Sequence, residues 1–153
     1  TAVLAAAAWW LAGGRPGAGT DDATATAEAR AAINGAWIAE VPYAWLREPL
    51  RERFVFGGEG ERVSGTASFL GVDRPVQDGR FDAREGLQFV VQSSEIAGST
   101  MFDVRHRYQG TLQADGIHLT MQTEGASQPH TPLRFVARRA MPPATGAAAS
   151  GAR

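Results

Sequence analysis

Apolar and polar residues alternate along most of the chain between residues 34 and 139. In segment 62–69 the residues Val63, Gly65, Ala67 and Phe69 fall on one face, and polar residues fall on the other. This period of two is typical of strands with one buried and one solvated face. Turns, several of them rich in glycine, separate about eight such segments: 35–43, 53–56, 62–70, 75–83, 87–91, 101–113, 117–121 and 133–137.

The strand series predicts an all-β fold, either an up-and-down barrel or a sandwich. We favour an antiparallel up-and-down barrel of about eight strands, because closure removes the exposed strand edges. The one helical candidate inside the series, segment 44–52, contains Pro49 and is therefore predicted to form a turn.

The composition changes outside this series, and four regions follow from it. They are an apolar membrane anchor or signal segment at 1–14, a linker at 15–33, the barrel at 34–139 and a disordered tail at 140–153. The linker and the tail lack large apolar residues, so they cannot offset the entropy of ordering. Segment 24–33 favours a helical turn or two. We expect no contact between the barrel and residues before Asn34.

The apolar run at residues 1–12 is shorter than the roughly 20 residues that a membrane helix needs. It fits the end of a transmembrane helix, the apolar core of a signal peptide, or an Ala-rich helix packed on a soluble core. Trp9 and Trp10 at its polar end are typical of a membrane interface, which favours an anchor. An anchor and a signal peptide both predict an extracytoplasmic location for the barrel.

The composition excludes several classes of chemistry. The chain has no Cys, so disulfides, thiolate metal sites and Cys nucleophiles are excluded. All 15 basic residues are Arg, which excludes Schiff-base lysines and a phosphate-loop lysine. With 16 acidic residues the net charge is −1, and no nucleic-acid footprint is predicted. No cofactor is predicted either.

His106 is the most informative polar residue, because it falls in phase with Val104 and Tyr108 and should face the barrel interior. It is a candidate ligand contact, base or pH switch, or simply a hydrogen-bonded core residue. His118 is predicted outward and His130 lies in a loop, so the three His should not converge on a metal. Carboxylate pairs such as Asp78 with Asp82 or Asp103 with Glu124 carry no catalytic prediction, and neither do the Ser residues at 93–94.

Two short motifs at the ends of the strand series resemble those of lipocalins and other calycins. A Gly-x-Trp sequence, Gly35-Ala36-Trp37, opens the first strand, and Arg139 ends the last. The resemblance implies a lipocalin-like barrel in which Trp37 and Arg139 close one end, with Arg139 pointing inward. The chain also resembles uncharacterised bacterial extracytoplasmic domains through Ser64-Gly65-Thr66 and the segment at 108–111. No activity is implied by that second resemblance.

These observations together predict a non-catalytic domain that binds a small apolar molecule or acts as a sensing module. The expected pocket lies inside the barrel, at the end opposite Trp37. Its predicted ligand-binding residues are Phe54, Phe56, Phe69, Phe89, Phe102, His106, Tyr108 and Met121. Alternatives are an interaction or structural domain with a filled core, whose partner would be an unknown protein, and a barrel enzyme that uses His106. A membrane contact is expected only through residues 1–12.

Overall fold

The computed structural model describes residues 18–141, in which one helix precedes nine strands. The elements are α1 (Ala18–Ile33), β1 (Gly35–Val41), β2 (Leu50–Gly57), β3 (Arg62–Phe69), β4 (Val72–Pro75), β5 (Gln77–Asp82), β6 (Gly86–Ala97), β7 (Thr100–Gln113), β8 (Gly116–Glu124) and β9 (Leu133–Arg139). The all-β prediction is confirmed. The segment between β1 and β2, which includes Pro49, forms turns and bends, as predicted.

The strands form one antiparallel sheet with the order β2-β1-β9-β8-β7-β6-β5-β3-β4. A further pairing of β2 with β3 joins the two sides of this sheet and closes it into a barrel. Strands β4 and β5 follow one another along the same partner, because β3 pairs first with β4 and then with β5. The result is a closed eight-stranded antiparallel barrel with one extra strand, which confirms the predicted architecture.

Because the strands alternate in direction, their connections gather at two ends of the barrel. Trp37 and its register partner Arg139 mark one end, which we call the closed end. The connections β1–β2, β3–β4, β6–β7 and β8–β9 lie at the other, which we call the open end.

Aromatic rings fill the barrel between the two ends. Phe89 stacks on Tyr108 with ring centroids 4.5 Å apart, and Phe54 contacts both rings. Phe56 and Phe135 extend the same cluster. Each buried aromatic ring removes about 150–250 Å² from water, so this cluster contributes a large apolar area to the core. The middle of the barrel is therefore a packed core.

Arg139 and Trp37 meet at the closed end. The Arg139 guanidinium lies over the Trp37 ring, 4.5 Å from its centroid. Trp37 is buried, but Arg139 is exposed and lies across the barrel end. Arg139 shares the inward face of its strand with Ala137 and with its register partner Trp37, as expected, but its side chain stays exposed because it lies at the barrel end. Its guanidinium also donates to backbone carbonyls of Ala32 and Asn34, at the end of α1.

The end of α1 packs on the barrel, so the expectation of no contact before Asn34 is wrong. Ile33 is fully buried in the barrel core, and its carbonyl accepts a 2.8 Å hydrogen bond from Trp37 Nε1. Buried Arg30 donates to the carbonyls of Gly57 and Arg62 in the β2–β3 connection. The last turn of a helix leaves carbonyls without intrahelical partners, and here the barrel supplies the donors.

The structure replaces much of the predicted linker at 15–33 with a helix. The predicted anchor or signal segment at 1–14 and the tail beyond Met141 lie outside the described residues. Within residues 18–141, no helix is both long and apolar enough to cross a membrane.

Candidate functional site

A cavity of about 270 Å³ opens at the open end of the barrel. Strands β3, β6, β7 and β8 supply its inner wall, and the β1–β2 and β8–β9 connections supply Trp45 and His130 at its rim. Its lining residues are Trp45, Phe69, Leu70, Ser93, Ser94, Glu95, Val104, His106, Thr123, Ala126 and His130. The cavity therefore lies opposite Trp37, at the end where the sequence placed it.

His106 is held from three sides in the cavity wall. Its Nε2 lies 2.8 Å from Ser93 Oγ, and its Nδ1 lies 3.0 Å from Thr123 Oγ1. The strand register explains these contacts. Thr123 of β8 and Val91 of β6 are the cross-strand partners of His106, and Ser93 is the next inward residue after Val91. The Phe69 ring stacks on the imidazole at a centroid distance of 3.8 Å.

Burial lowers the pKa of His106 from 6.5 to about 4, because the charged imidazolium loses its hydration in the barrel. The positive charge of Arg74 and the proximity of His130 lower it further. Arg74 is held near the site by a 3.3 Å hydrogen bond from its Nη1 to the Gln92 carbonyl, which links β4 to β6. His106 is therefore neutral at pH 7.

The Ser93–His106 pair has the hydrogen-bonding distance of a nucleophile and its base. The group on the far side of the imidazole is the Thr123 hydroxyl, however, and no carboxylate is there to stabilise an imidazolium. A pKa of about 4 makes the imidazole a weak proton acceptor. The Ser93–His106 pair therefore has the spacing of a nucleophile and base but lacks the carboxylate of a catalytic triad behind the imidazole.

A second buried polar cluster surrounds Glu52, whose side chain lies inside the barrel wall near the open end. The Glu52 carboxylate accepts a 2.9 Å hydrogen bond from the Tyr43 hydroxyl, and others from Ser68 Oγ and the Gly71 amide. Burial and the neighbouring Glu52 charge raise the pKa of Tyr43 and of Tyr108. These contacts pin the β1–β2 connection and the β3–β4 turn, which carry Trp45 and Leu70 of the cavity rim.

The structure divides the eight predicted ligand-binding residues into three groups. Phe69 and His106 line the cavity, and Met121 lines a smaller neighbouring pocket of about 170 Å³ together with Trp45. A second group packs in the aromatic core below the cavity: Phe54, Phe56, Phe89 and Tyr108. Phe102 is half-buried in the β6–β7 hairpin, opposite Glu95. Of the five phenylalanines predicted to form the pocket wall, only Phe69 lines the cavity, and Trp45 joins it at the rim.

The sequence prediction did not include the cavity residues that lie in connections, such as Trp45 and His130. Trp45 and His130 contact each other at the rim, with ring centroids 5.4 Å apart. His106 and His130 therefore share the cavity, whereas the prediction kept them apart. His118 bonds Asp115 in the β7–β8 hairpin, at the other end of the barrel. The available signal for a rim contact was Trp45, which with Tyr43 lies between Pro42 and Pro49 in the β1–β2 connection.

Across residues 18–141, no group of three or more His, Asp or Glu side chains is arranged to hold a metal ion. The chain matches no protein-family model, no curated protein and no solved structure.

Proposed function

We propose that the protein is a non-catalytic, lipocalin-like binding domain whose open-end cavity takes a small apolar molecule. The observation that carries the proposal is the cavity of about 270 Å³ above a filled core. An apolar cavity of about 150 Å³ is enough for benzene, so there is room for a somewhat larger molecule or for one end of a longer one. The comparison with lipocalins is supported by the closed antiparallel barrel and by the Trp37–Arg139 contact at its closed end.

The polar groups in the cavity wall are mostly satisfied by one another, which leaves apolar surface for the ligand. Ser93 and Thr123 contact the His106 ring nitrogens, and Glu95 accepts hydrogen bonds from the backbone and hydroxyl of Ser127. Phe69 and Val104 are buried apolar walls of the same space. A ligand that is apolar throughout, or that carries one polar atom near His106, fits this lining.

The absence of catalysis is part of the proposal and is supported by the state of His106. An imidazole with a pKa of about 4 is too weakly basic to be an efficient general base near pH 7. The predicted location outside the cytoplasm remains a proposal that rests on the apolar run at residues 1–12.

Binding can be tested with N-phenyl-1-naphthylamine, a neutral dye that fluoresces in apolar surroundings. We expect saturable binding to the full chain, and loss of that binding in Val104→Phe, which fills the cavity from β7. The matched control is Val55→Phe, because Val55 is 46% exposed on the outside of β2. Since Val104→Phe also risks overpacking the strand, Ala126→Phe provides a second test from the β8–β9 connection.

Three outcomes would contradict the proposal. One is a wild-type chain that binds no dye, and another is folded Val104→Phe and Ala126→Phe variants that bind as well as Val55→Phe. The third is hydrolysis of p-nitrophenyl butyrate that disappears in Ser93→Ala, which would show that Ser93 and His106 form a catalytic pair.

A further inference from the structure

We propose that the open end docks on an uncharged lipid surface, with the tip of the β6–β7 hairpin inserted at the depth of the headgroups. The hairpin tip comprises residues 96–102: Ile96, Ala97, Gly98, Ser99, Thr100, Met101 and Phe102. This site is separate from the apolar run at residues 1–12, and it does not require an occupied cavity.

The hairpin extends beyond the strands on either side of it. Strand β6 pairs with β5 only as far as Val90, and β7 pairs with β8 only as far as Arg105. The pairing of β6 with β7 continues past both limits, from Ser93 opposite Val104 to Ala97 opposite Thr100. The β8–β9 connection packs on the base of this extension, where Ser127 bonds Glu95. The two register pairs beyond Glu95, at about 3.3 Å each, project roughly 7 Å further. A two-residue turn with Gly98 at φ +63° closes the hairpin.

The hairpin tip carries apolar side chains on both faces and no charge. Ile96 and Met101 are cross-strand partners on one face, with exposures of 71% and 67%. Ala97 and Phe102 fall on the other face because side chains alternate along a strand. Ala97 and Phe102 are half-buried, so Ile96 and Met101 are the main exposed apolar surface of the tip. An uncharged tip avoids the cost of bringing an ionised side chain among lipids, which favours a lipid surface.

Exposed apolar residues elsewhere in the described structure gather at the same end. Eight large apolar side chains are exposed among residues 23–141, and only Val55 and Met141 lie away from the open end. The other six belong to the β1–β2 connection, the start of β4 with the turn before it, and the hairpin tip: Trp45, Leu46, Leu70, Val72, Ile96 and Met101. Trp45 is half-exposed, as expected for a Trp at a membrane interface.

The charges beside the hairpin tip argue for a neutral surface and a shallow position. The nearest charged residues along β6 and β7 are Glu95 and Asp103. Arg47 with Glu48 and Asp73 with Arg74 follow the exposed Leu46 and Val72, so acidic residues still outnumber basic ones here and anionic headgroups would gain no net attraction. The tip also has backbone edges without strand partners, and these must stay within reach of water or headgroups. Docking would place the cavity mouth against the lipid, so that an apolar molecule could enter without crossing bulk water.

A fluorescent label can report docking at the hairpin tip alone, since the chain contains no Cys. Ser99→Cys carries an environment-sensitive nitrobenzoxadiazole label at the tip, and Ala114→Cys carries it in the β7–β8 turn at the closed end. With the full chain and phosphatidylcholine vesicles, we expect a blue shift and a several-fold rise in emission at position 99 and no change at position 114. Adding phosphatidylglycerol to the vesicles should not strengthen the response.

Double variants then test whether the exposed apolar side chains of the hairpin tip are responsible for vesicle binding. Ile96→Thr with Met101→Gln should lower vesicle partitioning by at least about tenfold, because at headgroup depth two exposed apolar side chains lose part of their transfer free energy. Val55→Thr with Met141→Gln removes apolar surface at two exposed positions away from the hairpin tip and should leave partitioning unchanged.

Other results would overturn the proposal. An unchanged label at position 99, equal responses at positions 99 and 114, or equal partitioning of the two double variants would show that lipid does not bind at the hairpin tip. A rise in emission at position 99 with protein concentration and without vesicles would show that a second copy of the chain covers it. Dye binding to the cavity is measured separately, so either proposal can fail without the other.

Discussion

The neutral state of His106 predicts a specific dependence of stability on pH. The folded protein holds the pKa of His106 at about 4, whereas the unfolded chain binds the proton near 6.5. As the pH falls below about 6.5, the unfolded state gains protons that the folded state does not. The contribution of His106 to stability is therefore complete above that pH and is lost progressively until about pH 4.

The size of this loss follows from the two pKa values. Between pH 7 and pH 5, a shift from 6.5 to about 4 removes about 2 kcal/mol of unfolding free energy. A variant with a residue that does not titrate at position 106 keeps this part of its unfolding free energy as the pH falls. We therefore expect His106→Gln to start less stable at pH 7 by about 1–2 kcal/mol, through weaker contacts with Ser93 and Thr123, and to approach the wild type as the pH falls.

The measurement is urea unfolding followed by Trp fluorescence at pH 7, 6 and 5, with His118→Gln as a control that retains His106. The control should lose stability as the wild type does, and His106→Gln should lose about 2 kcal/mol less. Parallel losses in the wild type and His106→Gln would refute the reasoning, and so would an NMR titration of His106 with a midpoint near 6.5.

Further predictions concern the contacts that fix the closed end and the rim. Arg139→Gln should lower the unfolding free energy by about 1–2 kcal/mol in urea titrations, because it loses the contact with the Trp37 ring and donors to the end of α1; a change below about 0.3 kcal/mol would count against this role. Arg30→Met should cost about 1–3 kcal/mol, because the partly buried carbonyls of Gly57 and Arg62 lose a charged donor; hydrogen exchange should then show faster opening of α1, and unchanged exchange there would contradict the prediction. Tyr43→Phe should cost about 1 kcal/mol and Glu52→Ala about 2–4 kcal/mol, because the alanine leaves several buried donors unpaired; calorimetry that ranks the two variants in the reverse order would argue against this network.

The period of two along residues 34–139 was enough to predict the barrel. It assigns each residue to the inner or outer face, and one buried face combined with short glycine turns leaves few alternatives to an antiparallel meander. Phe69 and His106 were correctly placed on the inner face by this pattern alone. The expectation of a pocket opposite Trp37 came from the resemblance to calycins, which implied that Trp37 and Arg139 close the other end.

What alternation does not determine is the depth of a residue along the barrel axis. Phe54 and Phe69 are both inward, but only the strand register places Phe54 in the packed core and Phe69 at the cavity. The cavity rim depends on connections such as the one carrying Trp45, whose position follows from contacts distant in sequence. The docking of α1 was likewise invisible in its composition, because hydrogen bonds to its last turn come from Trp37 and Arg139. The sequence by itself determined which residues face inward, and the tertiary structure decided which of them enclose space, because enclosed space depends on how all eight strands meet.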